Sequence, residues 1–261
     1  MINQPRLRAI MEEAGAMALA CWPGETGGGK ALDIWEKGPN NPVCSADLDV
    51  NAFLRESLTA LLPAAGWLSE ETADSPDERQ GSLIWLVDPI DGTRDYINGR
   101  PGWAVSVALI SAGRPLIGML AAPARGEFWQ ASAGQGATLN DSPLRASRRS
   151  ILPGARVPAR ILPPEDADLT LVEQPNSIAL RIAMVADDRA DLVATLRWGF
   201  EWDIGAAALI AREAGAVVSD AFGQAVAYNK RDPRAFGVIA CAPEIHEAAV
   251  ERLADRAGKM A

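Results

Sequence analysis

Two aspartates, Asp88 and Asp91, stand three residues apart at the end of an apolar run and could supply oxygen ligands to a metal ion. The run, residues 83–87, predicts a buried strand. Pro89 lies between the two acids and has no backbone N–H, which predicts that strand pairing ends there. Both carboxylates can then project from one turn.

Gly92 and Thr93 follow directly and could bind an anion beside these carboxylates. Glycine lets the backbone come close to a ligand, and threonine adds a hydroxyl next to the N–H groups of the following turn. Two hard oxygen donors beside such a nest suit a magnesium–phosphate site. Asp, Pro and Gly also dominate ordinary polar turns, so the stretch taken alone leaves both interpretations open.

Further acidic residues lie where predicted elements begin or end. Glu70 and Glu71 follow a predicted strand at 67–69, while Asp47 and Asp203 lie near the starts of predicted helices. Each alone has a structural explanation, as a solvated loop acid, a partner of the helix dipole or an N-cap.

Composition excludes several classes of protein. The 261 residues include 25 Lys and Arg against 34 Asp and Glu, a formal charge of −9, which argues against nucleic acid polymers or anionic membranes as partners. The single histidine, His246, cannot supply a Ser-His-Asp triad or a histidine-rich zinc site. Its surroundings predict a solvated position on a surface helix.

The three cysteines are far apart and form no Cys-x-x-Cys pair, so a reducing, cytoplasmic setting is expected: Cys21, Cys44 and Cys241. No apolar stretch reaches the length of a membrane span. Residues 24–30 match most of the P-loop spacing, but Ala31 stands where a magnesium-binding Ser or Thr is required. We therefore interpret that stretch as a flexible loop.

Hydrophobic spacing predicts alternating helices and strands in two halves of one compact unit, residues 1–149 and 150–261. The predicted helices are 5–20, 46–62, 203–214 and 243–256. The predicted strands are 67–69, 83–87, 103–110, 116–121, 127–131, 178–185, 217–219 and 238–241. The strands from 103 to 131 predict an antiparallel meander. The proline-rich stretch 150–175 is interpreted as a connection.

Taken together and in this order, three segments resemble the signature of the inositol monophosphatase superfamily of magnesium-dependent, lithium-sensitive phosphatases. They are the strand ending in D-P-I-D-G-T, the upstream acidic pair at 70–71 and the downstream W-D-I-G-A at 202–206. The resemblance extends over residues 5–255. It implies an α/β fold with layers in the order αβαβα, an active site where the halves meet, and hydrolysis of phosphomonoesters.

The resemblance also implies roles for individual residues. Metal ligands are implied at the Glu70, Asp88, Asp91 and Asp203 carboxylates and the Ile90 carbonyl, for two or three Mg²⁺ ions. Catalytic roles are implied for Glu70 and Thr93, which would position the attacking water, and for Asp47, near the most weakly held ion. Substrate contacts are implied for Asp91, Gly92, Thr93 and Asp203. Lys37 is similar to a basic residue of the family's mobile catalytic loop.

The segment Tyr228-Asn229-Lys230 resembles the bacterial 3'(2'),5'-bisphosphate nucleotidase branch, and Leu196 stands where inositol phosphatases carry an acid. Tyr228 could stack on a purine and Lys230 could pair with a second phosphate. The segment could instead end a strand near the surface. The expected substrate is 3'-phosphoadenosine 5'-phosphate. An inositol-1-monophosphatase and a non-catalytic scaffold remain alternatives, and a homodimer is possible.

Overall fold

The computed structural model describes residues 2–24, 32–38 and 41–261. The P-loop-like stretch lies, from residue 25 onward, outside the described residues. The helices in these ranges are α1 (Gln4–Cys21), α2 (Ser45–Leu61), α3 (Thr93–Ile97), α4 (Ile178–Ala186), α5 (Glu201–Glu213) and α6 (His246–Met260). The strands are β1 (Ile34–Gly38), β2 (Asn41–Cys44), β3 (Gly66–Ser69), β4 (Leu83–Asp91), β5 (Ala104–Ser111), β6 (Arg114–Ala122), β7 (Glu127–Ser132), β8 (Ala137–Leu139), β9 (Ser142–Pro143), β10 (Arg156–Val157), β11 (Thr170–Leu171), β12 (Leu192–Phe200), β13 (Val217–Ser219) and β14 (Arg234–Cys241).

The largest sheet has seven strands in the order β3-β4-β5-β6-β7-β8-β9. Strands β3 and β4 pair in parallel, and every following neighbour is antiparallel. The predicted antiparallel meander is therefore confirmed. Its central strands carry apolar side chains on both faces, which is expected for a sheet covered on both sides.

Helices cover the two faces of this sheet. Helices α1 and α2 pack on one face, where Leu54 and Trp85 are fully buried, and α4 and α5 pack on the other, where Leu86 and Ile182 are buried. Helix α5 comes so close to β6 that a Cβ at Gly118 would lie 2.7 Å from the backbone oxygen of Ala206. This close packing fixes the start of α5 relative to the sheet.

A second, three-stranded sheet in the order β12-β14-β13 lies on the far side of α4 and α5. Helix α6 covers its outer face, burying Ile239 against Leu253. The layers therefore follow the order αβαβα, and the predicted fold class is confirmed. None of the helices in the described ranges has the length and apolarity needed to cross a membrane.

The prediction of a strand at 178–185 is wrong, because these residues form α4. All nine residues of this helix are buried between the two sheets. The sequence therefore lacks the polar face that would reveal a helical periodicity of 3.6 residues. A short, wholly apolar run cannot be assigned by periodicity alone. Its content of alanine, leucine and methionine, all strong helix formers, is the signal that distinguishes it.

Candidate active site

A bulge at the end of β4 turns both signature aspartates toward the same side of the sheet. The chain advances three residues from Asp88 to Asp91 while β5 advances only two, from Ser106 to Ala104. Because side chains alternate along a regular strand, residues three apart would otherwise face opposite sides. Pairing thus continues past Pro89 rather than ending there, and the extra residue brings the carboxylates together.

Asp91 is held by the N-terminus of α4. Its Oδ2 accepts hydrogen bonds from the Ser177 hydroxyl and, at 2.7 Å, from the Ala179 N–H, while Oδ1 accepts a longer one of 3.3 Å from the Ile178 N–H. The Ser177 oxygen also caps the helix by accepting from Leu180 N at 2.9 Å. One serine thereby fixes both the helix start and the aspartate.

Glu70 reaches the same cleft from the end of β3, next to β4. Its backbone N–H donates to the Val87 carbonyl, which aligns the two strand ends. The Lys37 ammonium, from the β1–β2 hairpin, lies 2.8 Å from Glu70 Oε1 and 2.6 Å from Glu71 Oε1. Burial alone would lower the pKa of Lys37, but its attraction to both carboxylates outweighs that cost and raises it.

Asp203 comes from the first turn of α5, which begins at Glu201 rather than at Asp203. Its Oδ2 accepts from the Phe200 N–H at 2.9 Å, so the carboxylate satisfies the helix N-terminus from the third helical position. Glu201 itself is fully buried and accepts from the N–H groups of Asn229 and Lys230. That contact ties the segment 228–230 to the start of α5.

Asp47 and Thr93 lie next to each other near the acids of the cleft. The Thr93 hydroxyl is 3.0 Å from the Ile90 carbonyl oxygen and 3.3 Å from Asp47 Oδ1, so it can donate to either. Asp47 is buried at the start of α2 and accepts from Cys44 N at 2.8 Å. Burial raises the pKa of Asp47 to about 7.

Gly92 occupies a position that only glycine tolerates easily. Its φ is +96°, in the left-handed region, and a Cβ there would lie 2.7 Å from the Gly102 carbonyl oxygen and 2.9 Å from Ser177 N. The residue therefore lets β4 turn directly into α3 against the loop that precedes α4.

The carboxylates repel one another. Burial raises the pKa of Asp88 well above its usual value, and the charges of Glu70, Asp91 and Asp203 raise it further. Burial likewise raises the pKa of Asp91 to about 6 and that of Asp203 well above its usual value, with Asp91 and Glu70 adding to the latter. A divalent cation would remove this repulsion, because it favours the ionised form of every acid around it.

The donor set fits a hard cation, since every candidate ligand is an oxygen. Within the described part of the chain, no three His, Cys, Asp or Glu side chains form a ready metal cage. The acids instead keep their own partners: Lys37 for Glu70, Ser177 for Asp91 and the Phe200 N–H for Asp203. A metal ion would therefore compete with these partners for the carboxylates.

The acids and the glycine turn line one cleft of about 200 Å³. It contains every predicted metal ligand together with Gly92 and Thr93, and it adds residues from elsewhere in the chain. The predicted residues are Glu70, Asp88, Ile90, Asp91, Gly92, Thr93 and Asp203, and the additions are Asn41, Pro42, Arg94, Asn176, Ile178 and Arg197. Asp47 reaches the cleft through its contact with Thr93.

Tyr228 and Lys230 do not line this cleft. The Tyr228 side chain is buried in the core that contains Leu86, which contradicts the predicted stacking on a purine because no ring face is open. The Lys230 ammonium donates to the Arg234 carbonyl and lies 3.6 Å from Glu201 Oε1. The segment anchors α5 to the core, so the resemblance in these three residues reflects structure.

Sequence reasoning missed the contribution of the segment before α4. Asn176 lines the cleft and Ser177 binds Asp91, but both precede α4, where the sequence pattern predicts a strand. A serine directly before an alanine-rich run is an N-cap signal and could have identified this helix end. His246, predicted to be solvated, is half-buried, and its Nε2 lies 2.8 Å from the Ser219 hydroxyl.

Comparison with known proteins agrees with this geometry. A model of the inositol monophosphatase family matches residues 7–257. The 3'(2'),5'-bisphosphate nucleotidase CysQ of Aggregatibacter actinomycetemcomitans is 31% identical over 220 residues, covering 78% of this chain and 81% of that protein. Inositol monophosphatase 2 of Solanum lycopersicum is 31% identical over 212 residues, covering 74% of this chain and 80% of that protein.

The solved structure of the IMPase of Thermotoga maritima superposes with a TM-score of 0.82 at 22% identity, covering 97% of both chains. The layered fold, the acidic cleft and these relatives define a phosphomonoester hydrolase. The chain belongs to the inositol monophosphatase family, whose members are generally metal-dependent.

Proposed function

We propose that this hydrolase is magnesium-dependent and acts on 3'(2'),5'-bisphosphate nucleotides, converting 3'-phosphoadenosine 5'-phosphate to AMP and phosphate. The observation that supports the reaction is the convergence of Glu70, Asp88, Asp91 and Asp203 on one cleft beside the Gly92 turn. Their mutual repulsion favours a bound cation. Three free cysteines agree with the expected cytoplasmic setting.

The ligands we assign to two or three Mg²⁺ ions are the carboxylates of Glu70, Asp88, Asp91 and Asp203 and the Ile90 carbonyl. When bound, such ions polarise the phosphate, lower the pKa of water and stabilise the leaving oxygen. No histidine is needed for this chemistry.

The residues of the chain position the reacting groups. Glu70 and the Thr93 hydroxyl orient the attacking water, and Asp47, 3.3 Å from that hydroxyl, accepts its hydrogen bond. The backbone at Gly92 and Thr93, which lines the cleft beside the carboxylates, contacts the phosphate. Asp91 and Asp203 lie on the leaving-group side.

The substrate preference is supported by the bisphosphate nucleotidase among the relatives. Leu196 adds support, since it packs in the apolar cluster of Phe236 and supplies no acid for a polyol. The second candidate, an inositol-1-monophosphatase, is favoured by the tomato relative of equal identity. A non-catalytic scaffold would not need to retain four mutually repelling carboxylates, because unpaired buried charges lower stability.

A panel of phosphomonoesters assayed with Mg²⁺ tests the proposal. The panel includes 3'-phosphoadenosine 5'-phosphate, 3'-AMP and myo-inositol 1-phosphate. We expect the bisphosphate to have the highest kcat/KM, chelation to abolish turnover and Mg²⁺ to restore it. Full turnover in excess chelator would disprove the metal dependence, and a preference for the inositol phosphate would disprove the substrate assignment.

Lithium provides an independent test of the metal site. If the ion positions near Asp91 and Asp203 are those of the family, Li⁺ should lower initial rates at fixed Mg²⁺. A Li⁺ titration that leaves the rate unchanged well above the Mg²⁺ concentration would show that this side of the cleft differs.

A further inference from the structure

A second pocket, of about 320 Å³, adjoins the acidic cleft and is strongly basic. We call it the arginine pocket. Arg94, Asn176 and Arg197 line both spaces, so a ligand in the cleft can extend directly into it. The complete lining is Arg94, Asn98, Arg100, Arg160, Gln174, Pro175, Asn176, Arg181 and Arg197.

Arg181 is the most unusual member of this lining. Its side chain leaves α4, and the residue is only 9% exposed. Its guanidinium donates to two backbone carbonyls, of Ser177 at 3.3 Å and of Asn176 at 3.0 Å. Within the described ranges it has no carboxylate within 4.0 Å. Burying a cation without such a partner is costly, so its position in a pocket wall calls for an anion.

The other charges of the pocket do not neutralise Arg181. Burial, together with the charges of Arg197 and Arg160, lowers its pKa to about 10, although Asp91 and Asp95 act in the opposite direction. Asp95 already accepts from Arg100 at 2.7 Å and from the Asn176 N–H at 2.9 Å. Cations therefore face one another here without enough acid to balance them.

Neither Arg160 nor Arg197 makes an ion pair with a described residue, and both are exposed at the pocket. Arg160 comes from the proline-rich connection between the two halves, and Arg197 from β12. Three elements distant in sequence thus converge with guanidinium groups on one space. Guanidinium is the side chain best suited to bind phosphate, because its planar fork donates two parallel hydrogen bonds.

We propose that the arginine pocket binds a second phosphate of the substrate, the one that is not hydrolysed, through Arg160, Arg181 and Arg197. The proposal rests on the phosphomonoesterase function above, because the scissile phosphate must occupy the adjoining acidic cleft. In this proposal the arginine pocket, and not Lys230, binds the second phosphate. It also explains how a chain of net charge −9 binds a polyanion: the basic groups are concentrated where the ligand enters.

The first test is binding without metal, which is independent of turnover. In chelator the acidic cleft repels phosphate, whereas the arginine pocket needs no ion. By isothermal titration calorimetry, adenosine 5'-phosphate should bind the wild type, and Arg160→Gln and Arg181→Gln should each weaken binding about 10- to 100-fold, as expected for a lost charge-assisted hydrogen-bond pair. Adenosine, which lacks the phosphate, should bind no more tightly to the wild type than to either variant.

Arg114→Gln is the matched control. It removes the same charge from an exposed arginine at the opposite end of the central sheet, where β6 pairs with β5 beside the start of β4. It should bind adenosine 5'-phosphate like the wild type. Equal affinity in all four proteins would overturn the proposal. Arg160 is exposed, so Arg160→Gln keeps the test valid even if Arg181→Gln fails to fold.

The second test separates a substrate phosphate from an independent anion. With Mg²⁺, the ratio of kcat/KM for 3'-phosphoadenosine 5'-phosphate to that for 3'-AMP should fall about 10-fold or more in Arg160→Gln and stay constant in Arg114→Gln. A constant ratio in Arg160→Gln, with inorganic phosphate binding lost, would show that the pocket holds a separate anion and overturn the proposal. Absence of turnover on every phosphomonoester would instead disprove the enzymatic function, leaving the binding test to decide about the pocket.

Discussion

The acidic cleft and the arginine pocket adjoin each other but are built in different ways. The carboxylates of Asp88 and Asp203 stand at the ends of buried regular elements, β4 and α5, whose packing fixes their positions. Of the three guanidinium groups assigned to the second phosphate, that of Arg160 comes from an exposed irregular segment, that of Arg181 from the buried helix α4 and that of Arg197 from an exposed part of β12. The cleft thus depends on the packed ends of core elements, whereas the pocket combines one buried and two exposed cations from segments far apart in the chain.

The charges of the two regions also have different consequences for the protein without ligand. Burial and neighbouring acids raise the pKa of Asp88 and of Asp203 in the cleft, and burial and neighbouring arginines lower the pKa of Arg181 in the pocket. Each region is therefore unfavourable alone, and each would be stabilised by a ligand of opposite sign: a cation in the first and a phosphate in the second. Substitutions in the cleft, at its boundary with the pocket and outside both regions should therefore have different effects.

The largest effect should follow from Asp88→Asn, which alters only the acidic cleft. Losing one carboxylate from the bulge of β4 removes a metal ligand, so kcat with Mg²⁺ should fall by about three orders of magnitude or more. Because burial and the neighbouring acids destabilise the ionised Asp88, the same change should raise Tm in chelator. Rate assays and thermal melts measure the two effects, and a variant that is inactive and less stable would indicate misfolding instead.

Ser177→Ala should have an intermediate effect and touch the boundary between the two regions. It removes a hydrogen bond to Asp91 and the N-cap of α4, so unfolding free energy should fall by about 1–3 kcal/mol and kcat/KM by about 10-fold. Ser177→Thr, which keeps the hydroxyl, should recover most of both. Failure of the threonine variant to recover activity would show that the hydroxyl is not what positions Asp91.

The stability of the metal-free protein should depend on pH through the acids. The pKa of Asp47 is raised to about 7 and that of Asp91 to about 6 in the folded state. In the unfolded chain both lie near their ordinary value of about 4, so the folded state binds more protons between about pH 4 and 7. Stability should therefore decrease as pH rises through that window.

Thermal melts in chelator at a series of pH values test whether stability decreases as pH rises. The difference between the wild type and Asp47→Asn isolates one group: between about pH 4 and 7, Tm should fall less in Asp47→Asn than in the wild type. Mg²⁺, which favours the ionised acids, should also flatten the curve. A Tm that rises with pH more steeply in the wild type than in Asp47→Asn would contradict the raised pKa.

The smallest effect should come from Tyr228→Phe, which lies in neither region. The Tyr228 hydroxyl is buried and has no hydrogen-bond partner among the described residues, so removing it should leave stability unchanged or slightly raised. The kcat/KM for the bisphosphate should change less than about twofold, the opposite of what stacking on a purine would require. A selective tenfold loss on purine substrates would restore the original interpretation.

Much of the fold and of the acidic cleft could be predicted from the sequence. The signature residues Asp88 and Asp91 were found because an apolar strand leads into them, and that local pattern survives in the structure. Helix α4 could not be recognised, because burial on all sides removes the polar face on which periodicity depends. The bulge that extends pairing past Pro89 has no signal of its own beyond the proline.

The arginine pocket could not be predicted from the sequence, for a different reason. Arg160, Arg181 and Arg197 stand on a connection, a helix and a strand, and nothing in their spacing brings them together. Tyr228 illustrates the opposite error. The resemblance implies a substrate contact for this residue, but its side chain is part of the core. Sequence identifies groups that lie close along the chain, whereas groups that meet only after folding require the tertiary structure.

The sequence by itself determined which residue types are available for chemistry: clustered carboxylates, a glycine turn beside them, a single histidine and an overall acidic charge. These features follow from residue type and from short spacing along the chain, and neither depends on how the chain packs. Tertiary structure decided which side chains share a space: the bulge joins Asp88 to Asp91, α4 delivers Ser177 to Asp91, and three distant segments deliver the arginines. The reason is physical, since contacts between distant segments depend on how the layers pack.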